Sequence, residues 1–393
     1  MQRPVYILPL IVLSQFAGTS LWFSGNAILP ELSKVFLLDK AALAIVTSSV
    51  LIGFITGTFV YAVYAIADRF PPSVVFFFSS LVAAAANLLI LLPQQQSSLL
   101  IASRFSVGFF LAGIYPVGMK IAAEWYEKGL GKALGYLVGA LVLGTAFPHL
   151  LKQSGWEYNW RTVLIFTSCF ASLGGALMLF FVPRGPFSKT GAHYSVKAFK
   201  ESFQRAGFRA ASFGYFGHMW ELYAFWAFVP LLLNYYVQKH TLVLNIPLWS
   251  FLIIGTGMAG CIAGGYLTKH FGSAKVAFVA MCCSLCCCLL SVFSFEWNTA
   301  LFLIFLFIWG FTVVADSPQF SSIVAQTAVA ENKGAALTIV TCIGFSITVA
   351  AIYTITFLYE QTHHAPWVFL FLAPGPLIGL WKLKPLLNEK AFA

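Results

Sequence analysis

The chain has 393 residues, 60% of them hydrophobic and only 9% charged, with a mean hydropathy of +0.84. Soluble domains carry roughly 25% charged residues, so an ordinary soluble enzyme is excluded and a polytopic membrane protein is expected. The net charge of +10 then reflects basic loops on one side of a bilayer, and nothing in the chain resembles a nucleic-acid-binding module.

Apolar runs long enough to span a membrane number about 12. Their centres fall near residues 18, 53, 83, 112, 142, 172, 222, 257, 284, 311, 346 and 372. The first run follows Met-Gln-Arg and has no small-residue cleavage site after it, so it reads as a retained span rather than a signal peptide. Short polar or Pro-containing breaks separate the runs, such as Pro93-Gln-Gln-Gln and Lys152-Gln-Ser-Gly. One gap is longer and basic. It divides the chain into an N-terminal bundle of six spans over residues 1–183, a cytoplasmic linker over 184–209 and a C-terminal six-span bundle over 210–393. With the N-terminus inside, 17 of the 23 Lys and Arg residues fall on the cytoplasmic side, which favours both termini in the cytoplasm; the expected location is the cell's inner membrane.

Span one carries Gln15, Thr19, Trp22 and Asn26 at the spacing of a helix face. Span four carries Arg104, Gly108, Leu111 and Tyr115. Its cytoplasmic end has Lys120 and Glu124 one turn apart, a spacing that suits a mutual ion pair. Span seven, within Gly214–Pro230, carries His218 and Glu221, three residues apart and so on one face. Span ten carries Trp309, Asp316 and Gln319. Ionisable residues at membrane depth are expensive and mark functional sites by default, whereas buried amides and hydroxyls also serve simply to hold helices together. Five cysteines crowd into span nine (Cys282, Cys283, Cys286, Cys287 and Cys288) with no His or carboxylate in the run, and read as packing residues. Glycines four apart, as in Gly53/Gly57 and Gly260/Gly264, predict close helix approach.

The halves repeat one another. Tyr64 to Pro71 after span two matches Gly265 to Gly272 after span eight. Gly108 and Pro116 in span four match Gly310 and Pro318 in span ten. Gly131-Lys-Ala-Leu matches Gly334-Ala-Ala-Leu. Parallel repeats of this kind, with substrate bound between them near the midplane, are a transporter architecture.

Over essentially its full length the chain resembles a major facilitator superfamily transporter. The family's loop after span two, G-x-x-x-D-R-x-G-R-R, is matched by Asp68 and Arg69. Tyr64 replaces its first glycine, and the second copy keeps Gly265 and Gly272 but has Lys269 in place of the acid. Arg104 and Gly108 match the fourth-span pattern R-x-x-x-G, and Trp160-Arg161 opens span six as in the family. The antiporter pattern G-x-x-x-G-P of span five is interrupted, because Ala140 follows Gly139.

The resemblance implies an all-α fold of two pseudo-symmetric six-helix bundles, with spans one, four, seven and ten lining a central cavity. It implies no enzyme activity, cofactor or metal, a monomer in the lipid bilayer, and a small-molecule substrate moved by alternating access. Glu221, His218 and Asp316 are the expected proton-coupling or substrate residues, with Arg104 either a clasp for an anion or a structural cation. Two substrate directions stay open: import of an organic anion, such as a carboxylate siderophore, through Arg104, or export of a cationic amphiphile through Glu221 and Asp316. A sensor that kept the fold without transporting is a further alternative.

Overall fold

Lipid offers backbone N–H and C=O groups no hydrogen-bond partner, so an apolar chain crosses it as helices. The computed structural model describes residues 4–38, 41–93, 96–126, 129–153, 160–188, 196–329, 333–362 and 365–387. Parts of the expected polar breaks at Pro93 and Lys152, of the 184–209 linker and of the C-terminal tail lie outside these residues. Two compact units emerge, Met1–Ala192 and His193–Ala393.

The first unit contains α1 (Ile7–Thr19), α2 (Ser24–Ala27), α3 (Leu29–Val35), α4 (Ala42–Val63), α5 (Ile66–Arg69), α6 (Pro72–Leu88), α7 (Ser97–Leu111), α8 (Tyr115–Trp125), α9 (Leu130–Gln153) and α10 (Trp160–Phe181). The second contains α11 (Val196–Gln204), α12 (Ala206–His240), α13 (Ile246–Phe271), α14 (Ser273–Ser294), α15 (Thr299–Ala315), α16 (Ser317–Thr327), α17 (Lys333–Gln361) and α18 (Pro374–Leu383). Ten helical stretches among the described residues are long and apolar enough to cross a membrane. Expected spans one and seven are not among them. Span one is interrupted at residues 20–23, which leaves the 13-residue α1 as its apolar helix. Span seven forms the 35-residue α12, whose apolar run is diluted by Arg209, His218, Glu221 and Lys239.

Spans four and ten break at matching places. Tyr115-Pro116 opens α8 and Ser317-Pro318 opens α16, each with proline in the first turn, where its missing N–H costs nothing. The helices that lead into these breaks, α7 and α15, are held by glycine seams. A Cβ added at Gly108 would lie 1.9 Å from the Val50 carbonyl oxygen, and one added at Gly57 would lie 2.2 Å from that of Phe109. In the second unit Gly310 faces the Ile253 carbonyl and Gly260 that of Phe311, both at 2.2 Å by the same measure. The two pairs are related by offsets of 202 and 203 residues, the offsets of the sequence repeat. The duplicated glycines therefore make the same backbone approach in both units, α4 on α7 and α13 on α15.

Gly108→Ala is expected to wedge this seam open, lowering the melting temperature of the detergent-solubilised protein at a cost of about 1–3 kcal/mol. Gly131→Ala, where an added Cβ meets nothing within 4 Å, is the matched control and leaves the melting temperature unchanged or slightly raised.

Candidate functional site

In the second unit the polar residues of span seven meet those of spans nine and ten. His218 and Glu221 lie on α12 and are buried, at 1% and 2% exposure. The residue at the break between α15 and α16 is Asp316, whose backbone carbonyl accepts from the Gln319 and Phe320 N–H groups. Its carboxylate makes no cap of its own and instead approaches His218, with Oδ1 2.8 Å from Nδ1. The Nε2 atom of His218 finds no hydrogen-bond partner among the described residues. Phe320 and Tyr215 flank the imidazole, with ring centroids 5.9 and 6.0 Å away.

One turn along α12, Oε1 of Glu221 accepts three hydrogen bonds. They come from the Ser284 hydroxyl at 2.5 Å, the Trp309 indole N–H at 2.7 Å and the Cys288 thiol at 3.2 Å. Donors converging on one carboxylate oxygen favour the anion, which offsets part of the cost of burying it. Trp309 is itself fixed by stacking on Phe225, with centroids 4.6 Å apart. Gln319 turns its amide back onto the Ala315 carbonyl at 3.1 Å. Ser284 and Cys288 were not among the residues that the sequence pointed to. They lie four apart on α14 and so share a face toward α12, a signal hidden by the cysteine run around them. Cys288 therefore does more than pack.

In the first unit the interruption of span one sets the chemistry. It leaves the carbonyls of Leu21 and Trp22 without helical partners, and Arg104 supplies them. Its Nη2 donates to the Trp22 oxygen at 2.7 Å and the Leu21 oxygen at 3.1 Å, while Nη1 donates to Ser24 Oγ at 3.0 Å and Asn87 Oδ1 at 3.1 Å. The Asn87 amide continues the network to Ser168 Oγ at 3.1 Å and the Leu164 carbonyl at 3.2 Å. Arg104 is fully buried in this arrangement. Span one thus departs from a single continuous stripe. Thr19 bonds back to the Gln15 carbonyl at 2.8 Å, Trp22 packs its ring 4.8 Å from Phe54, and Asn26, beyond the interruption, donates to Thr47 at 2.6 Å. Gln15 is fully buried, and its side-chain amide has no hydrogen-bond partner among the described residues. Tyr115 is half-buried at the start of α8.

At the loop after span two, Asp68 forms an ion pair with Lys120, whose ammonium also reaches the Ala67 carbonyl at 2.5 Å. The expected Lys120–Glu124 pair is therefore not made. Glu124 takes a hydrogen bond from the Ser188 hydroxyl at 3.2 Å, because α5 brings a nearer carboxylate to Lys120. Arg69 is exposed. In the second copy Gly265 is buried, and Gly272 has φ +79, a backbone region that glycine enters without strain. Among the described residues no group of three or more His, Cys, Asp or Glu side chains is arranged to hold a metal ion.

Residues 11–353 match the family model described as Major Facilitator Superfamily. The chain belongs to that superfamily. It is a multi-pass membrane transporter, not an enzyme, and its substrate is a small molecule. The superfamily fold is also shared with a solved structure, the crystal structure of the human organic anion transporter MFSD10 (TETRAN). That match has a TM-score of 0.74 at 14% sequence identity and covers 97% of this chain and 100% of the other. No curated protein sequence matches the chain.

Replacing Arg104 with Lys is expected to lower stability by roughly 1.5–3 kcal/mol, since one ammonium cannot serve two carbonyls, a hydroxyl and an amide at once. Thermal unfolding of purified protein reads this directly. An unchanged melting temperature would assign the guanidinium to something other than holding the interrupted span.

Proposed function

We propose that this superfamily member is a proton-coupled secondary transporter of a small organic solute, working by alternating access in the cytoplasmic membrane with both termini inside. The observation that carries the reading is the His218–Asp316 contact with its open Nε2, set one helical turn from the buried Glu221. A proton taken at Nε2 makes an imidazolium that Asp316 already faces through Nδ1. Glu221 is ringed by three donors, Ser284, Trp309 and Cys288, and its protonation would weaken the hydrogen bonds they make. Proton uptake would thus alter contacts among α12, α14 and α15 in one step. Gln15, buried with an unengaged amide, supports a polar contact to substrate. Arg69, Gly265 and Gly272, with the Asp68–Lys120 pair, belong in this reading to the loops that change between states.

Two substrate classes have support. Arg104 spends both Nη groups on its own unit, which weakens an anion clasp at that residue and favours a cation near Glu221 and Asp316. The human structure of the same fold is described as an organic anion transporter, which favours an anion carried with a proton.

The test is proton flux in liposomes loaded with a pH-sensitive dye, challenged with a panel of organic anions and cations. Movement triggered by one class names it. Glu221→Gln and His218→Gln are each expected to abolish that movement while leaving the protein folded. Flux that persists in both variants would refute coupling through these residues. Binding without flux in the wild type would support the sensor alternative.

A further inference from the structure

At one end of the second unit a basic cluster adjoins a strip of aromatic rings. Along α12, Arg209, Phe213 and Phe216 follow at spacings of four and three and so form one stripe, and Arg205 caps the helix just before them. The two arginines are exposed and the two rings half-buried. Phe213 and Phe216 lie 5.8 Å apart, and Phe203 of α11 sits 6.1 Å from Phe213. Arg209 is tied to α11 by hydrogen bonds from Nη1 to the Gln204 carbonyl at 2.6 Å and the Phe203 carbonyl at 3.1 Å.

Helix α18 runs antiparallel beside this stripe. Gly217 approaches the Gly375 carbonyl and Gly379 the Gly214 carbonyl, so the start of α12 and the end of α18 share one level. There Lys382 places Nζ 4.1 Å from the Trp381 ring centroid and 5.6 Å from that of Phe213. Trp381 is 69% exposed, and Lys384 follows, also exposed. Gly207 packs toward Leu386, which brings the segment after α18 against the first turn of α12. The exposed Glu201 is the acid on the described part of α11, against Arg205, Arg209, Lys382 and Lys384 around it.

We infer that this face is a binding site for one anionic phospholipid. Its polarity is graded with depth in the order such a lipid needs. Cations stand at the helix ends to meet the phosphate, an exposed tryptophan stands at the interfacial level, and phenylalanines lie further along α12 to meet acyl chains. Lysine stems over aromatic rings add apolar surface while the ammonium stays at the headgroup. A soluble anion would use the cations but gain nothing from Phe213, Phe216 and Trp381. The basic bias of the same end assigns it to the cytoplasmic side, where the anionic leaflet potential adds to the attraction.

The experiment uses the full-length protein, delipidated in detergent and titrated with phosphatidylglycerol, phosphatidylcholine or inorganic phosphate. Retained lipid is counted by native mass spectrometry, and melting temperature is followed in parallel. Phosphatidylglycerol is expected to be retained and to stabilise, with phosphatidylcholine well behind. The preference should fall by about fivefold for each basic side chain removed in Arg205→Gln, Lys382→Gln and Lys384→Gln. Lys382→Arg should keep it. The melting temperature of each variant without lipid shows that the fold is intact. Equal retention of the two lipids, or a preference untouched by the variants, would overturn the assignment. Stabilisation by inorganic phosphate equal to that by phosphatidylglycerol would reassign the face to a soluble anion.

Discussion

A polar group inside a bilayer-spanning bundle has to bring its own partners, because lipid supplies none. This constraint shapes both units. Where span one is interrupted, the freed carbonyls of Leu21 and Trp22 accept from Nη2 of Arg104, and Ser24 and Asn87 accept from its Nη1. Where a carboxylate is buried on α12, three donors from two neighbouring helices converge on it. The two solutions are complementary. One surrounds a cation with oxygens and stiffens a broken helix. The other surrounds a carboxylate with N–H, O–H and S–H donors from two neighbouring helices.

The architecture was legible because the bilayer forces long apolar helices and because duplication leaves glycine and proline landmarks at a fixed offset. Gly108 with Gly310, and Pro116 with Pro318, mark the same seam and the same break in each unit. Less legible was where a span gives way. Nothing in Ser20-Leu-Trp-Phe carries a glycine or proline to announce an interruption, and the carbonyls exposed there accept from Arg104, some eighty positions later. Local propensity cannot report a partner that distant.

The candidate site was legible in part for the same reason. His218 and Glu221 stand out because titratable groups in an apolar run are rare, and their shared face follows from spacing alone. Their partners lie on other helices. Asp316 meets His218 through tertiary packing, and Ser284 with Cys288 was masked by a cysteine-rich context that reads as filler. Lys120 shows the reverse error. A spacing of four suggested Glu124, but the short helix after Ala65, which enters with φ +50, delivers Asp68 closer. A sequence interval proposes a pair, and the third dimension chooses among candidates.

The glycine seams also bear on how the protein is made. Gly53 and Gly57 on α4 need the backbone of α7, yet α6 emerges from the ribosome between them. At synthesis rates of roughly 5–20 residues per second, α4 waits seconds for its true neighbour. Throughout that interval its small-residue groove lies open to lipid or to whatever holds nascent helices at the insertion site. The same delay recurs between α13 and α15, with the cysteine-rich α14 arriving first. Each half of the chain therefore presents an unfilled groove once during its own biogenesis, and substitutions along these grooves should be felt in assembly yield as well as in the finished protein.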